Sequence, residues 1–387
     1  MLLIFCFVLE NCQTLVFASK EVDEEKIKND LLEEIETQLD RLNMQELDDF
    51  VKSVEQNIGV LFNSPVKELM KKIIKGEFIT DFDSFMNFIF SSFSNILKKY
   101  LPFIVLIVFI AILSGTIGGL TSGFIKKQTT DIINLVCYFA IIIVIFTSMG
   151  YVLNDVKKTI LIMQKLMEIT FPIMLTLLVA MGGVVSGNLY KPMMLVLSNI
   201  VVEIIIKVII PFFIAGIVLS VACNMTNSVK FTKLPKFFST CSSWILGSIF
   251  SIFTIFISLK GLTGVMVDSV SISATKFCLS SYVPIVGGYV SDGFDLVLAS
   301  CMLIKNSFGI TVLIIMLLTV IVPIFRVVLF MMSLKLIEAV VEPIADNKIC
   351  KMLDLLCSNL TMLVSCLVAL GFMLFILMML IIGTFRF

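Results

Sequence analysis

The chain contains no histidine, three arginines and one tryptophan among its 387 residues. Without histidine there is no imidazole base, no proton switch near neutral pH and no histidine-containing zinc site. Charge is scarce as well. Asp, Glu, Lys and Arg make up 15% of the chain, against about 25% in an ordinary soluble domain. The ten cysteines include no Cys-x-x-Cys pair, and none falls between Lys20 and Lys99. A disulfide framework or thiolate metal site is therefore not expected. The Gly287-Gly288 pair is not followed by Gly-Lys-Ser/Thr, so it is not a phosphate loop. No arrangement of serine, cysteine or carboxylate points to a hydrolase, and no strongly basic face suits nucleic acid. The expectation is a protein that is not an enzyme and uses no cofactor, metal or nucleic acid.

What is present is apolar: 58% of the residues are hydrophobic, too many for one soluble core. The net charge of zero hides two unlike parts. Lys20–Lys99 holds 11 basic and 17 acidic residues, whereas Tyr100–Phe387 holds 18 basic and 11 acidic. Residues 1–18 resemble a secretory signal, with the apolar run Leu2–Leu9 and a small-residue site at Val16-Phe17-Ala18. Two features depart from that pattern: no positive charge precedes the run, and Glu10 and Asn11 interrupt it. Residues 19–99 read as an acidic, amphipathic helical domain outside the cytoplasm. Ile27, Leu31, Ile35, Leu39, Leu42, Leu47, Val51, Val54 and Ile58 form one apolar stripe. Ser64-Pro65 reads as a helix start, Gly76 as a stop, and Asp81–Asp83 as the next cap.

Residues 100–387 read as an all-α, polytopic membrane domain. A crossing needs about 20 mostly apolar residues. Eight transmembrane or re-entrant segments meet that need: 101–124, 132–153, 169–187, 193–222, 241–259, 284–304, 309–334 and 359–383. Amphipathic or polar connectors are expected at 154–168, 223–240, 260–283 and 335–358, with an interfacial helix at Lys335–Val341. Lys and Arg in the connectors divide evenly between the two sides, so they do not set the orientation.

Phe171-Pro172-Ile173 and Val283-Pro284-Ile285 stand 112 positions apart, as do Pro211 and Pro323 with their apolar flanks. Units at 169–264 and 281–376 would each hold three crossings and so form inverted repeats. Coincidence among proline-dotted apolar segments is the other reading.

Ionisable residues within spans are costly and default to a functional hypothesis. Glu203 and Lys207 stand four apart, either as an intrahelical ion pair or on a polar path. Arg326 follows Pro323 and requires a carboxylate, a carbonyl or an interface. Pro211 is expected to kink its helix. Pro284, Gly287, Gly288 and Gly293 weaken a helix beside Asp292 and Asp295. That stretch is either a broken segment lining a polar cavity or a helix start at an aqueous boundary. Lys305, Asn306 and Gly309 close the block.

The order of these features resembles the stage III sporulation protein AE family. The residues that carry it are Lys75-Gly76-Glu77, Val283-Pro-Ile-Val-Gly-Gly288, Ser291-Asp292, Asp295, Leu303-Ile-Lys-Asn-Ser-Phe-Gly309 and Glu342-Pro343. The resemblance implies a multi-pass protein of the mother-cell membrane surrounding the forespore. It implies a role in the channel, or feeding tube, that supports forespore development and late forespore gene expression. Implied partners are membrane lipid, the other proteins of the same operon (among them an ATPase and ring-forming subunits) and stage II sporulation protein Q. The rival expectations are a stand-alone secondary transporter and a non-conducting scaffold. On the channel reading, Glu203, Lys207, Asp292, Asp295, Lys305 and Arg326 line a polar path or its gate.

Overall fold

The computed structural model describes residues 44–58, 65–74, 82–120, 127–225, 233–282, 287–343 and 347–384. Residues 1–43 and Pro284 lie outside them, and so do the signal-like start and the first half of the acidic stripe. The described residues contain helices and no strand. Two short helices come first, α1 (Gln45–Ile58) and α2 (Val66–Ile74). The long helices α3 (Phe82–Leu120) and α4 (Lys127–Ala180) follow. Helix α5 (Val184–Leu195) runs through π-helical Val196–Val201, the helical turn Val202–Ile204 and π-helical Ile205–Ile209 into α6 (Ile210–Met225). Helices α7 (Lys233–Tyr282), α8 (Gly287–Val341) and α9 (Asn347–Gly383) complete the chain.

Among the described residues, six stretches are long and apolar enough to cross a membrane: Phe93–Thr116, Leu135–Ala180, Asn199–Cys223, Lys233–Ser258, Asp295–Val341 and Ile349–Gly383. Within the described residues the eight expected spans fall on helices except at the turn 181–183, but they form six. Segment 132–153 and residues 169–180 share α4, because the amphipathic residues 154–168 stay helical and Pro172 does not break it, while 181–187 turn into α5. Residues 287–304 and segment 309–334 share α8, which passes through Pro323. The expected interfacial helix at Lys335–Val341 is the end of α8, and it stops before Pro343 as anticipated. The line drawn at 99/100 falls inside α3.

One hydrophobic core joins all these elements, with Leu47 of α1 and Met70 of α2 fully buried in it beside the long helices. The start of α2 is held by Asp48, whose Oδ1 accepts the Val66 N–H at 2.8 Å. Ser64 lies outside the described residues, so its capping role stays an expectation. The outer faces are apolar too: Phe109, Val136, Ile143, Trp244 and Ile252 are all more than half exposed. Large exposed apolar residues on helices of this length and composition suit contact with lipid.

The contacts also fix how the long helices slide past one another. Asp155 of α4 meets Arg326 of α8, and Met174 lies against Gly309. Met163 and Val320 both lie against Gly371 of α9. Every step forward on α4 is a step back on α8, so the two are antiparallel. Helices α8 and α9 are antiparallel in the same way: Lys335 binds Asp354 at 2.7 Å, and Lys305 reaches Thr384. Helices α6/α7 and α8/α9 are both hairpins, and their bends agree at the 112-residue offset to within four residues. Their first arms differ. The turn at 181–183 has no counterpart at 293–295, which is continuous helix.

Candidate functional site

The block Lys305–Gly309 is a junction where the N-terminal helices meet both arms of the α8/α9 hairpin. Lys305 is fully buried, and its ammonium donates to the Thr384 carbonyl just beyond the end of α9. A cation there complements the negative end of the helix dipole. The Thr384 hydroxyl lies 3.3 Å from the Tyr190 hydroxyl of α5. Burial raises Tyr190 above the usual tyrosine range, so it stays neutral. Asn306 Oδ1 is buried without a hydrogen-bond partner. Ser307 donates to the Met70 carbonyl of α2 at 2.9 Å, and Phe308 is fully buried. A methyl group on Gly309 would overlap the Ile382 side chain, so α8 and α9 approach there more closely than any residue with a side chain allows.

A second junction holds the start of α5. Gly182 has φ 90°, a left-handed conformation that favours glycine. The buried carboxylate of Asp268, from α7, accepts the N–H of Val185 at 3.0 Å and of Ser186 at 2.8 Å. It supplies an anion to free donors at a helix start. Sequence reasoning missed this residue, because its partners lie 82 and 83 positions away.

The expected polar-path residues do not gather in one place. Arg326 pairs with Asp155 at 3.0 Å, with both side chains less than a third exposed. The requirement for a carboxylate was legible in the sequence, but the identity of that carboxylate was not. Glu203 and Lys207 form the expected intrahelical pair on the outer face of the π-helical segment, 58% and 70% exposed. Pro211 does not interrupt this helix. The π-turn before it lets the Ile210 N–H reach the Ile205 carbonyl, absorbing the missing donor of the proline. Lys305 and Arg326 sit 21 residues apart on one helix, about 31 Å at 1.5 Å per residue, which is close to the thickness of a hydrocarbon core. Gly287 and Gly288 stand at the beginning of α8, with Ser291 and Asp292 inside the helix. Asp295 is exposed on α8, and Asp292 lies on the same helix. Among the described residues, no group of His, Cys, Asp or Glu could hold a metal ion.

The junction block lies in the part of the chain that matches a known family. The family described as stage III sporulation protein AE matches residues 64–384. The chain belongs to this family. A curated relative, the stage III sporulation protein AE of Bacillus subtilis (strain 168), is 24% identical over 257 residues. That match covers 66% of this chain and 64% of the relative, just under two thirds of its length. No solved structure matches the chain. The family thus carries a sporulation role, and its matched region takes in α2, every apolar stretch and both junctions.

Proposed function

We propose that this chain is the membrane-embedded, permease-like component of the sporulation channel linking mother cell and forespore. It would reside in the mother-cell membrane around the forespore and support forespore development and late forespore gene expression. The observation that carries this reading is the junction at Lys305–Gly309. It fastens the N-terminal helices onto a bundle with lipid-facing outer surfaces, in a chain of a sporulation family. A body built this way presents a rigid extramembrane platform to partners while its long helices sit in lipid. The partners in this reading are the ATPase and ring-forming proteins of the same operon and stage II sporulation protein Q.

The test is affinity purification of the intact chain from detergent-solubilised membranes of sporulating cells. Recovery of the operon partners supports the channel component. Recovery of the chain alone, together with solute uptake by the purified chain in vesicles, favours the stand-alone transporter. The agreement of the two hairpin bends at the 112-residue offset keeps that second reading in view.

A further inference from the structure

Among the described residues, two charged side chains are buried, Asp268 and Lys305. Both are tied to helix α5. Asp268 holds its first turn through the N–H groups of Val185 and Ser186. Lys305 holds the Thr384 carbonyl, and Thr384 meets Tyr190, one turn further along α5. The Thr384 hydroxyl gives its proton to the Leu380 carbonyl at 2.8 Å, so Tyr190 is the donor in their contact. One short helix therefore bridges a buried anion and a buried cation.

Helix α5 is lightly fastened. Its buried face is Ser186, Gly187, Tyr190 and Met194, so only two large side chains anchor it. Val184 and Val185 at its start are exposed. The Ser186 hydroxyl is buried without a hydrogen-bond partner, which costs free energy in this packing. Both ends of the helix are built to bend. Before it stands Gly182 at φ 90°, a conformation glycine enters without strain. After it come π-helical Val196–Val201 and Ile205–Ile209, a backbone pattern frequent at functional sites. Hinges lie at such element ends, and moving elements are those with few buried apolar contacts.

We propose that α5 is a lid. It is shut over Asp268 and Lys305 in this structure, pivots about Gly182 and the π-helical stretch, and opens both charges to water when it lifts. Asp268 is the latch. The bond of Lys305 to Thr384 lies beneath the lid and stays in place whether it is shut or open. Lifting gives the Ser186 hydroxyl a water partner and takes two N–H donors from Asp268, and the balance of these terms sets the shut fraction. In a conduit such a lid gates a polar opening. The inference goes beyond the channel reading and does not rest on it.

The test uses the full chain in detergent and a charged methanethiosulfonate reagent, each cysteine being read by peptide mass spectrometry. Ser186→Cys and Met194→Cys place reporters at the two ends of the buried face of α5. Native Cys366, buried in α9, reports on the bundle itself. Both reporters should react slowly when Asp268 is present. With Asp268→Asn both should react roughly tenfold faster or more, the scale of losing hydrogen bonds to a charged group, while Cys366 stays protected. Acceleration at Ser186→Cys alone would mean that only the first turn frays, and it overturns the lid. Unchanged rates at both reporters overturn it, and so does equal acceleration at Cys366, which would mean that the whole bundle loosens. If Asp268→Asn does not accumulate, Tyr190→Phe removes the other tie. Faster reaction of both reporters then supports the lid, and unchanged rates overturn it. Labelling is read on the purified chain, so failure to recover the operon partners would sink the channel reading and leave this result standing.

Discussion

Asp155 and Arg326 stand 171 residues apart in sequence, yet their side chains meet at 3.0 Å between α4 and α8. With the contact of Met174 and Gly309, it sets the antiparallel register of the two helices. Breaking a buried pair leaves one charge uncompensated, at a cost of about 3–5 kcal/mol. Partial exposure lowers that here to about 1–3 kcal/mol. Asp155→Asn and Arg326→Met should each lower the melting temperature in detergent, and the double variant should lie above the sum of the two losses. Additive losses would mean that the pair does not couple the helices.

The approach of α8 to α9 at Gly309 makes a sharper steric prediction. Gly309→Ala would press a methyl group into Ile382, and overpacking of this kind costs about 1–3 kcal/mol. Gly309→Leu should prevent accumulation in the membrane. Gly309→Ala combined with Ile382→Val should recover part of the loss, as read by thermal unfolding. Normal stability of the single variant would contradict the close packing.

Lys305 separates a structural charge from a functional one. Its partner is a carbonyl, so Lys305→Met removes the desolvation cost of a buried charge while leaving one acceptor unsatisfied, two effects of opposite sign. Lys305→Met should therefore accumulate normally and support sporulation. Lys305→Glu would bury an anion beside the end of α9 and should fail to fold. A stable Lys305→Met chain without function would return this lysine to a transport path.

The sequence made part of this legible. Hydropathy and composition located every apolar segment, and the four-residue spacing of Glu203 and Lys207 gave their ion pair. It did not reveal that 154–168 and Pro323 lie within continuous helices, because an amphipathic stretch or a proline reads locally as an interruption. Asp155 and Asp268 were hidden for another reason. Each is defined by a partner at long range, and periodicity along one helix carries no record of its register with another. Lys305, Asn306 and Gly309 stood out as a motif, but only the packing turns them into a junction rather than a path.

The proposed role is tested most directly in a sporulating host that lacks this chain and carries a reporter of late forespore-specific transcription. Reporter activity and heat-resistant spores should be lost after engulfment and restored by the wild-type chain, with a fluorescent fusion encircling the forespore. Normal reporter activity and spore yield in the deletion strain would contradict it.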